Sequence, residues 1–213
     1  MNYLRTILPL LLTLIFGPLM WYSAFLRLKK EAMGPSLIIG VTGVFLYFGW
    51  KIYEIRFSGN EKKLEKETHD KGSVELVAFT EIPLLLSLFF GGGNIKVIPG
   101  LTGLLLMVTG LYFRIAATST LGPGYSLRIR KFKSKPVRRW PYSMVRHPAY
   151  MASILIHAGI ILIFANIFSF FMLGVWVAVV TLRAFIEDEY LISFPEYGDY
   201  AENTRWRIFP WIF

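Results

Sequence analysis

Long apolar runs alternate with short polar stretches along this chain: about Leu4 to Leu28, Ser36 to Trp50, Val74 to Phe90, Val97 to Thr118, Tyr150 to Ala165 and Ile167 to Ile186. Runs of this length read as helices crossing a hydrocarbon core of roughly 30 Å. The last two are almost continuous. As one helix they would rise roughly 58 Å at about 1.5 Å per residue, so two crossings with a turn near Asn166 fit better. The first run has Arg5 ahead of its apolar core, like a signal peptide, but no small-x-small cleavage site follows before Arg27, and a retained helix is expected. The pattern predicts an all-α integral membrane protein of about six transmembrane helices. It ends in a C-terminal helical hairpin followed by a short cytoplasmic helical segment. Two units are expected: residues 1–118 as a scaffold of four spans, and 119–213 as the part that carries chemistry.

Composition sharpens this picture. The 213 residues are 54% hydrophobic and only 17% charged, with a mean hydropathy of +0.50. That is more apolar surface than one domain of this length hides from water. No polar stretch between the runs is long enough to bury a core of its own, which excludes a large soluble catalytic domain. Zero cysteines exclude disulfides, thiolate metal sites, iron–sulfur clusters and cysteine nucleophiles. No metal site is expected. The net charge of +9 would suggest nucleic acid in a soluble chain, but here the cations sit in loops where topology explains them, so no nucleic-acid partner is expected.

The stretch Ser119 to His147 carries Arg128, Arg130, Lys131, Lys133, Lys135, Arg138, Arg139 and Arg146 and no acidic residue. The positive-inside rule places it in the cytoplasm. Counting back puts Lys51 to Ser73 inside, Gly91-Gly92-Gly93-Asn94 outside and both termini inside. Arg27, Lys29 and Lys30 then fall outside, against the rule. The loop Lys51 to Ser73 alternates sign and reads as a solvated helix extension. Lys131 to Arg139 reads as a topology determinant in contact with anionic membrane lipids.

Polar residues concentrate in the last third. His147 precedes Pro148, which favours an extended conformation at the start of a helix whose free N–H groups face the cytosol. Such a place can hold an anionic group, with Arg146 and His147 as side-chain donors. Arg183 and Glu187 are four apart on one helix face, with Asp188 and Glu189 adjoining. A bland reading is an interfacial salt bridge with snorkelling. A sharper one is a pocket, because a hairpin brings the start of one helix close to the end of the next. A zwitterionic ligand would place its ammonium on Glu187 and its carboxylate on the His147 side, with the Tyr142 and Tyr150 rings against a heterocycle.

The string PYSMVRHPAY, an apolar hairpin, R-x-x-x-E-D-x-x-L, FPEYGDY and a terminal R-I-F-P together resemble the isoprenylcysteine carboxyl methyltransferase family and its phospholipid methyltransferase relatives, over roughly Leu121 to Phe213. The resemblance implies a membrane-embedded, cytoplasm-facing site for S-adenosyl-L-methionine, closed over by the C-terminal segment, with a lateral opening for a lipophilic or lipid-linked substrate. By position, cofactor contacts fall on Tyr142, His147, Pro148, Ala149, Tyr150 and Glu187, with a further one near Pro136 and Val137. The substrate-orienting arginine falls on Arg183. Three departures touch the substrate rim: Trp140 stands where the family has Gly, Asp188 replaces a second Glu, and Leu191 to Phe194 is one residue short. The function implied is transfer of a methyl group to a carboxylate, thiol or amine in the membrane. Alternatives are an NADPH-dependent reductase of the sterol reductase type, disfavoured by the acidic E-D-E run beside a would-be phosphate site, and a non-enzymatic membrane protein.

Elsewhere, Glu81 lies within the third run and suggests function by default, or a bland pairing with Arg114 or a hydroxyl. His157 reads as a packing residue, and Gly100, Gly103 and Gly110 as a close helix contact. The tail RWRIFPWIF reads as an interfacial anchor, and the resemblance implies that it also helps close the site.

Overall fold

The computed structural model describes residues 18, 21–61, 69–90, 94–131 and 135–212, and their side chains apart from those of 55–61 and 89–90. Most of the first apolar run therefore lies outside the described residues, as do 62–68 of the polar loop and Gly91 to Gly93. All regular structure described is helical: α1 Pro35–Glu61, α2 Ser73–Phe90, α3 Val97–Leu121, a 3-10 turn Gly122–Gly124, α4 Pro148–Ile163, α5 Ile167–Ile192 and α6 Pro195–Asn203. Residues 21–28 are helical as well.

Where the sequence reading counts six spans, three stretches among the described residues are long and apolar enough to cross a membrane: Pro35–Glu54, Val97–Gly124 and Ile167–Ile192. Helix α4 is as apolar but has only 16 residues, short of the roughly 20 that a span needs. Its length is cut by Pro148 at its first turn and by the break at Phe164 to Asn166. There Asn166 accepts from the Ser169 N–H at 2.9 Å while the Ser169 hydroxyl receives the Asn166 N–H, a reciprocal cap that starts α5. Outward-facing apolar side chains such as Ile98, Phe79 and Ile167 are 70–79% exposed, the arrangement expected of a lipid-facing surface.

The tightest seam joins α3 to α4. A Cβ on Gly103 would lie 2.5 Å from the Gly159 carbonyl oxygen, and one on Gly159 equally close to that of Gly103. Backbones can approach so closely only where both residues lack side chains, as the glycine spacing in α3 suggests. Helix α1 packs on α3 and α4, while α2 packs on α5. Along α4 the two pairs meet, and His157, Ile156 and Ile161 are fully buried there. Arg27, outside by the topology count, is 5% exposed. Glu31 close by accepts the Ile95 N–H at 2.9 Å, tying this end of the bundle together.

Candidate active site

The end of α5 and the start of α4 carry the densest polar cluster. Asp188, 2% exposed, is its centre. Its Oδ1 meets His147 Nε2 at 2.9 Å and the Tyr197 hydroxyl at 2.8 Å, and its Oδ2 accepts from Arg146 at 2.9 Å and Arg207 at 2.8 Å. Two guanidinium groups hold Asp188 as the ionised acceptor, so His147 Nε2 carries the hydrogen of that contact. Backbone pairing reinforces the clamp: the Arg146 N–H donates to Trp206 and the His147 N–H to Arg207. Arg146 also donates to the carbonyls of Thr204, Ala201 and Arg205. The C-terminal segment is thus fastened over the loop that leads into α4.

These bonds revise one expectation. Arg146 and His147 were expected to offer donors to a bound anion, but the Arg146 guanidinium and His147 Nε2 are engaged by Asp188, the acid that departs from the family pattern. What stays open is His147 Nδ1, 3.6 Å from Glu187 Oε2, and the Ala149 N–H, which lies in the first turn of α4 and so has no intrahelical acceptor.

Glu187 differs from its neighbour. It is a quarter exposed, one oxygen accepts the Tyr150 hydroxyl at 2.6 Å, and the other has no partner among the described residues. The Tyr150 ring stacks on His147 at 5.3 Å between centroids and 19° between planes. Tyr142 is buried, its carbonyl accepting the Tyr200 hydroxyl at 2.7 Å. Burial raises the phenols of Tyr142, Tyr197 and Tyr200 above the usual tyrosine range; Tyr125 and Glu187 add to the rise for Tyr142 and Asp188 for Tyr197, while Thr204 and the Arg146 cation oppose it for Tyr200. All three are neutral hydroxyl donors at physiological pH.

Arg183 is placed differently from the expectation that it orients a substrate. It is 5% exposed, and all three of its guanidinium nitrogens have protein acceptors. Nε donates to the Tyr150 hydroxyl at 2.9 Å, Nη1 to Ser73 at 2.6 Å, and Nη2 to the Leu127 carbonyl and to Asp70 at 3.3 Å. Asp70 in turn accepts the Ile129 N–H at 2.8 Å and pairs with Arg128 at 3.4 Å. Arg183 therefore struts the basic loop against the start of α2 and fixes the Tyr150 hydroxyl. Asp70 sits in the sign-alternating stretch read as solvated, where nothing in the charge pattern marked it out.

Of the remaining expected contacts, Pro148 lies at the first turn of α4 and the Ala149 carbonyl accepts Arg114 at 2.9 Å. Pro136 and Val137 are half-buried in the preceding loop, and no described hydrogen bond or ring contact joins Val137 to the cluster. Among the described residues no group of three or more His, Cys, Asp or Glu is arranged to hold a metal.

The donor set suits a cationic ligand at Glu187, with aromatic rings beside it and one free backbone N–H for an anionic end. None of the curated proteins matches the chain. Residues 99–196, which span α3 to the start of α6, match the family model described as phospholipid methyltransferase. That family belongs to the isoprenylcysteine carboxyl methyltransferase-like group of membrane methyltransferases, and over this segment the chain is similar to it.

Proposed function

We propose that this protein is an S-adenosyl-L-methionine-dependent methyltransferase that acts at the cytoplasmic side of a membrane on a lipophilic or membrane-partitioned carboxylate, thiol or amine. The observation that carries the reading is Glu187: within the family match, it is a partly exposed carboxylate with a free oxygen, beside the first turn of α4. Its charge suits the ammonium and sulfonium of the methyl donor; Tyr150 and His147 touch it, and Pro148, Ala149 and Tyr142 are the further contacts that the resemblance implies. S-adenosyl-L-methionine supplies the methyl group when bound. In-line displacement at such a methyl needs alignment more than acid–base chemistry, so the task of the protein is to orient two reactants and exclude water. Arg183 serves this by fixing the Tyr150 hydroxyl, which in turn sets the rotamer of Glu187. The cationic loop Ser119 to His147 supports the cytoplasmic placement.

The test is thermal unfolding of the detergent-purified protein with S-adenosylhomocysteine, with NADPH and with neither. A ligand at 100 times its dissociation constant stabilises by about 2.7 kcal/mol. A shift with S-adenosylhomocysteine alone is expected. A shift with NADPH alone would move the same site to reductase chemistry, and no shift with either would remove the enzymatic reading.

A further inference from the structure

A second carboxylate with a free oxygen meets α4 at His157, about two helical turns beyond Tyr150. Glu81 of α2 takes three donors on Oε1: the Tyr47 hydroxyl at 2.7 Å, His157 Nε2 at 3.0 Å and the Lys51 ammonium. Oε2 has no partner among the described residues. The expected partner Arg114 is elsewhere, paired with Glu54. The Lys51 ammonium sits 4.4 Å from the centre of the Trp50 ring and 5.7 Å from that of Tyr47. A cation between two aromatic faces and a carboxylate is the arrangement by which proteins recognise alkylammonium groups.

The walls of this cage are fixed and its occupant is not. Tyr47, Trp50, His157 and Trp176 are 0–3% exposed. His157 is held from behind by the Ser153 carbonyl at 2.8 Å, and its ring lies 4.0 Å from that of Trp176 with the planes tilted by 35°. The indole N–H of Trp176, on the ring beside His157, is buried with no acceptor among the described residues. Lys51, by contrast, is about one-third exposed on a flexible four-carbon stem, and Glu81 is its one described ion-pair partner. Helices α1 and α2, which carry Lys51 and Glu81, pack on α3, α4 and α5 rather than along each other. The line between them is flanked by exposed apolar side chains, Ile52 at 66% and Phe79 at 70%.

We propose that Glu81, Tyr47 and Trp50 form an ammonium-binding cage that Lys51 fills in this structure and that the alkylammonium head of a membrane amphiphile fills in its place, its tail lying between α1 and α2. His157 follows Tyr150 by about 10 Å along α4 at about 1.5 Å per residue. Methyl displacement needs reacting atoms about 3 to 3.5 Å apart, so the cage is a separate site and does not depend on the reading of Glu187.

The probe is decyltrimethylammonium below its micellar concentration, added to protein in an uncharged maltoside detergent and followed by tryptophan fluorescence. The decyl sulfate anion serves as control. Lys51→Met, which empties the cage, is expected to bind the cation saturably and at least ten-fold more tightly than the native chain, with the gain lost in Lys51→Met/Glu81→Gln. Equal affinity in native and Lys51→Met proteins, or an unchanged gain in the double variant, would overturn the proposal. Should the variants not fold, the native protein provides a second readout. Acetylation of Lys51, measured by mass spectrometry, is expected to rise several-fold as the cation displaces it, and an unchanged rate sinks the idea.

Discussion

Asp188 and Glu81 are both carboxylates inside the bundle with basic and tyrosine partners, yet they are bonded in opposite ways. Asp188 spreads four donors over both oxygens and draws them from the α4 approach, α6 and the C-terminal tail. Glu81 gathers three donors on one oxygen and leaves the other bare, between two helices that meet through Tyr47 and Lys51 more than through backbone packing. Glu187, adjacent to Asp188 in sequence, resembles Glu81 in this respect. A carboxylate whose acceptor capacity is used up by the chain acts as a clamp, because any ligand would have to displace charged donors. One with a free oxygen and partial exposure has capacity left for a ligand.

The contrast breaks most easily at the clamp. Asp188→Ala leaves Arg146, His147 and Arg207 without their shared acceptor, and removal of one side of a buried charge cluster costs about 3 to 5 kcal/mol. Thermal unfolding in detergent is expected to show that loss together with release of the C-terminal segment to protease. A loss below about 1 kcal/mol would mean that Asp188 is no more structural than Glu187.

Arg183 comes next. Arg183→Met removes the strut between Tyr150, Ser73 and Leu127, while Asp70 keeps Arg128 and the Ile129 N–H. The expected loss is about 2 kcal/mol. Turnover falls while S-adenosylhomocysteine affinity is retained within a few-fold. Arg183→Lys does not rescue, since one ammonium cannot reach acceptors arranged around a planar fork. Full activity in the lysine variant would argue against the strut.

Glu187→Gln sharpens the comparison from the other side. Tyr150 can donate to the amide oxygen, so stability is expected to change by less than about 1 kcal/mol. S-adenosylhomocysteine binding, read by calorimetry, is expected to weaken at least ten-fold. Loss of stability with unchanged binding would reverse the roles assigned to positions 187 and 188.

How much of this was legible in the sequence follows from the range of each interaction. Helix positions were readable because apolar runs report local burial, and the break at Asn166 because a cap is a local event. The proximity of His147, Tyr150 and Glu187 followed from the run lengths and the family resemblance. Asp70 was not readable, since its burial arises from Arg183, far along the chain, and its neighbours 62–68 are mostly charged. Likewise Lys51 read as the first residue of a solvated helix extension, and it is the solvation, not the helix, that the structure changes. In the structure α1 continues to Glu61, and Lys51 falls on a face shared with Tyr47 and Glu54 that turns inward. The glycine seam was suggested by α3 alone, but its partner Gly159 drew no notice in a run read only for hydropathy.

The smallest effect tests the clamp through pH. Tyr197 donates to Asp188 from within the bundle, and burial together with that negative charge raises its phenol above the ordinary value of 10.0. Below pH 10 it is protonated whether the chain is folded or not, so stability is level with respect to this group. Above pH 10 the unfolded chain releases the proton and the folded chain holds it, so stability falls by about 1.4 kcal/mol per pH unit for each such group until the raised folded-state value is reached. Tyr142 and Tyr200 act in the same direction. Tyr197→Phe is expected to cost about 1 kcal/mol at pH 8, for the lost hydrogen bond, and to be less steep between pH 10 and 11. Unfolding curves of the two proteins should therefore converge as pH rises. Parallel curves would mean that the Tyr197 hydroxyl ionises freely in the folded state, and the clamp at Asp188 would then be open at its α6 side.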